Sequence, residues 1–82
     1  MVTVKFTSQL RREIGREKDS VSSSTVSELV EELGRRHGEK FTSYLSYCQI
    51  FVNGLSAQDI DGPSTALSDG DEVVFLLPVT GG

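Results

Sequence analysis

One cysteine, one histidine and no tryptophan stand among 82 residues. With Cys48 alone there is no intramolecular disulfide, and nothing in cysteine usage asks for an oxidising compartment. Cys48 and His37 together are too few soft ligands for a tetrahedral zinc site. Apolar residues never run together for the roughly 18 positions that a membrane span needs. The opening "MVTVKFTSQL" lacks the charged, then apolar, then small-residue order of a secretory signal. These absences place the expected protein in the cytoplasm, with no membrane partner. Basic residues are also scarce: 8 against 12 acidic ones, for a net charge of −4. That balance disfavours a phosphate-neutralising surface, so nucleic acid is not an expected partner. A partner protein with a basic face would suit it, but a mildly acidic surface also serves solubility, and charge alone does not choose. The sequence shows no repeat, low-complexity segment or linker.

Apolar residues make up 37% and charged residues 24%, which suits one small domain with a single core. "VTVKF" alternates Val2, Val4 and Phe6 against Thr3 and Lys5, the pattern of a half-buried strand. "LRREIG" follows as a short helical turn, and "DSVSSS" offers only Val21 for a second strand returning antiparallel to the first. Thr25-Val26-Ser27-Glu28 has capping-box spacing, in which hydroxyl and carboxylate satisfy backbone N–H groups at a helix start. Val26, Leu29, Val30 and Leu33 then recur at helical spacing, and Gly38 supplies a stop, which predicts the main helix over 26–37. "FTSYLSY" adds a turn carrying Phe41, Tyr44 and Leu45 inward. "CQIFVNG" directs Cys48, Ile50 and Val52 to one side and ends in the tight-turn pair Asn53-Gly54. The chain is turn-rich from Leu55 to Leu67. "EVVFLLPV" is apolar on both alternating faces, which predicts a last strand in mid-sheet, covered on both sides. The order predicts an α+β fold, one main helix across one face of a mixed sheet. If the last strand lies parallel beside the first, the helix lies in the long crossover that such pairing requires.

Few residues offer chemistry. His37 follows Arg35 and Arg36 at a helix end, where cations complement the helix dipole, so a structural role is expected. "DIDGPSTALSDG" begins like a calcium loop at Asp59 and Asp61, but Gly70 falls where the bidentate glutamate belongs. The acids of Asp69-Gly70-Asp71-Glu72 suit a turn, an acidic docking patch being the alternative. Cys48, inside a strand pattern, reads as a small core residue. There remains "PVTGG". Pro78 lacks the N–H to continue a ladder and sets Leu77 extended, so the sheet is expected to release the chain there, leaving 1–77 as the domain and 78–82 as a tail. Val79 to Gly82 reach at most about 14 Å. Two glycines without Cβ atoms suit a narrow cleft and leave the last carbonyl carbon open, while a frayed end is the plain alternative. A carboxylate becomes electrophilic only once activated. The chain has no phosphate loop for ATP, so activation falls to another protein.

The stretch "LSDGDEVVFLLPVTGG", Leu67 to Gly82, resembles the end of the small subunit of molybdopterin synthase, the MoaD group of ubiquitin-like sulfur carriers. The start, "VTVKFTSQLRREIG", is similar to the first strand and short helix of that group, and 15–60 match in layout only. The resemblance implies a β-grasp fold. It implies that Gly82 is adenylated by a MoeB-like (E1-type) enzyme that uses ATP, and becomes a thiocarboxylate. The tail would then enter a MoaE-like large subunit and give sulfur to a pterin precursor in molybdenum cofactor biosynthesis. Gly81 and Gly82 would be the reacting end, Pro78, Val79 and Thr80 the inserted tail, and Phe75, Leu76 and Leu77 the strand presenting partner contacts, with a core position as the alternative for each of these three. The chain would be a non-catalytic subunit binding no cofactor itself. One departure is visible: the group often carries aromatic-Pro-Pro before the valine, where this chain has Leu76-Leu77-Pro78. The departure admits the thiamine-pathway carrier, carriers for other sulfur-containing products, and modifiers attached to lysines; "PVTGG" favours the molybdopterin group over the thiamine carrier.

Overall fold

The computed structural model describes residues 1–77. Val2–Phe6 forms β1, Ser8–Ile14 α1, Lys18–Val21 β2, Val26–His37 α2, Glu39–Leu45 α3, Gln49–Val52 β3, Leu55–Ser56 β4 and Glu72–Leu76 β5. Single 3-10 turns at Ala57–Asp59 and Gly62–Ser64 fill the stretch before β5. The five strands make one mixed sheet in the order β2-β1-β5-β3-β4. β1 and β2 pair antiparallel, β5 lies parallel to β1, and β3 runs antiparallel to β5. The last strand is therefore in mid-sheet, with the helices carried in the crossover that joins two parallel neighbours.

One face of the sheet holds the core. Val2, Val4 and Phe6 of β1, Val73 and Phe75 of β5 and Val52 of β3 turn inward against Val26, Leu29 and Leu33 of α2 and Phe41 of α3. The period-2 and period-3.6 patterns thus meet in one layer interface. The expectation that β5 is covered on both sides is corrected here: Val74 is only half-buried and Leu76 is exposed. All the core residues of β5 lie on its helix side, and the apolar residues of the other face line an open surface.

Two local signals are met with small differences. At the start of α2 the Glu28 N–H donates to Thr25 Oγ1 at 3.2 Å, but the Glu28 carboxylate accepts from the Ser24 N–H, at 2.8 Å, rather than from that of Thr25. The entering chain is held extended there, because Val26 N–H donates to Thr65 O and Leu67 N–H to Ser24 O. Gly38, at φ +66°, closes α2 through its N–H to Gly34 O and at once opens α3 through its carbonyl, which accepts from the Phe41 and Thr42 N–H groups.

Candidate functional site

Of the residues singled out from the sequence, Phe75, Leu76 and Leu77 stand where β5 ends. Register sets Phe75 between Phe6 of β1 and Ile50 of β3, and Leu76 opposite Gln49. The ring of Phe75 is 0% exposed, packed edge-on to Phe41 at 5.3 Å between centroids and tilted against Phe6 at 6.3 Å. Its side chain fills the core rather than the open face. Leu76, 38% exposed, points to the open face, and Leu77 is half-buried. Pro78, Val79, Thr80, Gly81 and Gly82 lie outside the described residues.

Around Leu76 the open face carries an apolar strip that sequence reasoning did not single out. Val74 sits opposite Phe51 on one side and Lys5 on the other. Both Val74 and Phe51 are half-buried. Lys5 Nζ pairs with Glu72 at 3.1 Å and edges the strip with charge. The signal was present in "QIFV" and "EVVFL": once Ile50, Val52, Val73 and Phe75 face inward, Phe51, Val74 and Leu76 must face out together.

Backbone contacts hold β5 at both ends. At its exit the hydroxyl of Thr7, free of any capping bond to α1, donates to the Phe75 carbonyl at 2.9 Å. At its start the acidic turn is built into the fold. Ser68 N–H and Asn53 Nδ2 donate to the two oxygens of Asp71, at 2.8 and 3.1 Å, and Asn53 Oδ1 accepts from the Glu72 N–H at 3.0 Å. The Ser68 N–H first, and then the Asn53 amide, hold the Asp71 carboxyl below its ordinary range. Asp69 pairs with the amino group of Met1, and Gly70 takes φ +88°. Asp71 is thus a turn residue, as its spacing suggested.

The other candidates find structural settings. His37 Nε2 donates to Asp19 Oδ2 at 3.1 Å and its ring stands edge-on to Phe6 at 5.8 Å, so it joins β2 to the end of α2; its partner Asp19 carried no sequence signal. Cys48 is half-buried against the core, and burial pushes its thiol up, away from the reactive thiolate. It lines a groove of about 600 Å³ with Val26, Val30, Leu45, Ile50 and Pro63. Among the described residues no group of three or more His, Cys, Asp or Glu side chains is placed to hold a metal ion. No helix among them is long and apolar enough to cross a membrane.

A mixed sheet of five strands with its last strand central, and its main helix across one face, is the β-grasp architecture of ubiquitin-like proteins. The ThiS family model matches residues 4–82, and the chain belongs to that family of ubiquitin-like sulfur carriers. Among curated proteins no sequence matches it. Among solved structures, a chain of the BexX/CysO complex of Amycolatopsis orientalis is similar with a TM-score of 0.87 at 24% identity, over 100% of both chains. Small archaeal modifier protein 1 of Methanosarcina acetivorans is similar with a TM-score of 0.85 at 25% identity, over 99% of this chain and 95% of that one. A chain from the complex of subunits 1 and 2 of the molybdopterin-converting factor of Helicobacter pylori is similar with a TM-score of 0.73 at 31% identity, over 99% and 97%.

Proposed function

We propose that this chain is the sulfur-carrying small subunit of a molybdopterin synthase, working in the cytoplasm with a MoaE-like large subunit. The observation that carries the reading is the placement of β5: a strand paired on both sides delivers Leu77 to the rim of the sheet, and the family match continues from there to Gly82. The likeness to a chain of the Helicobacter pylori complex of subunits 1 and 2 supports the choice of pathway and of a protein partner. Leu76, with Phe51 and Val74 beside it, supplies the apolar contact that the large subunit covers, in place of the missing aromatic before the proline.

The chemistry at Gly82 needs two displacements. A carboxylate oxygen attacks the α-phosphorus of ATP on a MoeB-like enzyme and pyrophosphate leaves. A sulfide-equivalent sulfur then attacks the acyl carbon and AMP leaves, giving the thiocarboxylate that the large subunit directs to a pterin precursor. ATP is bound by the activating enzyme and not by this chain. Activation is measured as pyrophosphate release on mixing the chain, ATP and a MoeB-like enzyme. Release that stops when Gly82 is deleted or followed by one added residue is expected; release indifferent to both edits refutes the reading.

The likeness to small archaeal modifier protein 1 favours a second reading, a modifier joined through Gly82 to lysine side chains. That reading requires lysine peptides branched with Gly81-Gly82, whereas a carrier for thiamine or another sulfur-containing product would yield a thiocarboxylate and no such branches.

A further inference from the structure

Among the described residues the five-stranded open sheet has two free edges, and an edge strand presents unpaired N–H and C=O groups to any passing strand. The β4 edge is two residues long, which is protection by brevity. The β2 edge is longer, and the ladder shows which of its groups face outward. Phe6 N–H donates to Glu17 O, and the register pairs Thr3 with Ser20 and Val4 with Asp19. Along an antiparallel pair the bonded positions alternate, so Asp19 and Val21 spend their backbone groups on β1, and Lys18 and Ser20 turn theirs to the free edge.

Both outward groups of Ser20 are occupied from within the molecule. Its N–H donates to Asp19 Oδ1 at 2.9 Å, and its carbonyl accepts from Arg36 Nη1 at 2.7 Å. The same Nη1 lies 3.0 Å from Asp19 Oδ1, which ties the two plugs together. Neither partner is placed by chance. Arg36 Nε donates to Glu32 Oε2, one turn earlier on α2, at 3.0 Å, and His37 holds the other oxygen of Asp19, whose side chain is only 7% exposed. An arginine on the helix has thus been carried around the sheet edge and seated on a strand carbonyl. The exposed Lys18 next to it adds a charge, which is itself an obstacle to strand addition.

We propose that Arg36 and Asp19, steadied by Glu32 and His37, form an edge guard that keeps β2 from pairing with the β2 strand of a second copy of this chain. A second copy is the occupant that the edge fits. In an antiparallel two-fold pair with Ser20 opposite Ser20, Asp19 falls opposite Val21 and Lys18 opposite Ser22, so no like charges meet. With the guard in place the outward bonds of Ser20 are already made, and a docking strand has nothing to gain there.

The test is the solution mass of the full chain by light scattering across a dilution series, for the wild type, Arg36→Met and Arg36→Met with Ser20→Pro. Methionine keeps much of the arginine stem and its helix propensity but donates no hydrogen bond. Proline at Ser20 removes the edge donor without costing a β1 bond, and edge strands accept it. The guard predicts a monomeric wild type, an Arg36→Met chain whose mass doubles at the concentrated end, and a return to monomer in the double variant. A folded Arg36→Met chain that stays monomeric throughout overturns the proposal, as does a dimer that Ser20→Pro leaves unchanged. Should Arg36→Met melt below the working temperature, Arg36→Ala is read by the same criteria.

Discussion

Single residues outside any reacting group fix much of this fold, and Asp19 shows how. Burial pushes its carboxyl up, but the His37 hydrogen bond, the Ser20 N–H and the charges of Arg36 and Arg16 together outweigh that, and hold it below the ordinary carboxylate range. The folded state therefore binds the proton less tightly than the unfolded chain, whose value is about 3.9. Its stabilisation is complete above roughly that pH and is lost as pH falls through the depressed folded value. Urea midpoints measured down through acid should fall for the wild type, and fall less steeply for Asp19→Ala, which at neutral pH is expected to lose about 1–3 kcal/mol because Arg36 and His37 lose their shared partner. Asn53 is a second such residue. It sits at φ +51° in the turn between β3 and β4, with its amide joined to both Asp71 and Glu72. Asn53→Ala gives up two bonds and strains the turn, for an expected loss of about 1–3 kcal/mol by thermal melting.

Elements differ in how plainly the chain announces them. The end residue of β5 and its neighbour make the sharpest contrast: Phe75→Ala opens a cavity between Phe6 and Phe41 and should cost about 3–5 kcal/mol. Leu76→Ala should cost under about 1 kcal/mol in stability and instead weaken capture of a MoaE-like subunit, measured by calorimetry; unchanged affinity would remove Leu76 from the interface. Thr25→Ala, which unseats the Glu28 N–H, should lower stability by about 1 kcal/mol. The α2 boundaries were legible because a cap, an apolar period and a glycine agreed on them. β2 was barely legible, since Val21 is its only buried residue and its pairing depends on β1. The two faces of β5 were misread for a physical reason: an apolar residue on a strand looks the same whether helices or a partner will cover it. Asp19–His37, Thr7–Phe75 and Asn53–Asp71 were invisible because each joins positions 18 or 68 apart, and their geometry exists only after the sheet has formed.

At the scale of the whole molecule, the core residues among those described lie within 2–75, and the proposed chemistry lies at Gly82. Stability and function should therefore separate. Deleting Gly82 is expected to leave the melting temperature unchanged while abolishing activation, since no core side chain is removed. A large fall in melting temperature would instead tie the last residue to the packing of the domain. The ThiS-family assignment and the mid-sheet strand support the proposed reading, in which the β-grasp domain is the carrier and partner enzymes work on Gly82. The most direct measurement of that claim is the intact mass of the chain after incubation with a MoeB-like enzyme, ATP and a sulfur donor, followed by fragmentation to locate the change. The account predicts one oxygen replaced by one sulfur, confined to Gly82; a mass that never changes, or a sulfur that maps to Cys48, contradicts it.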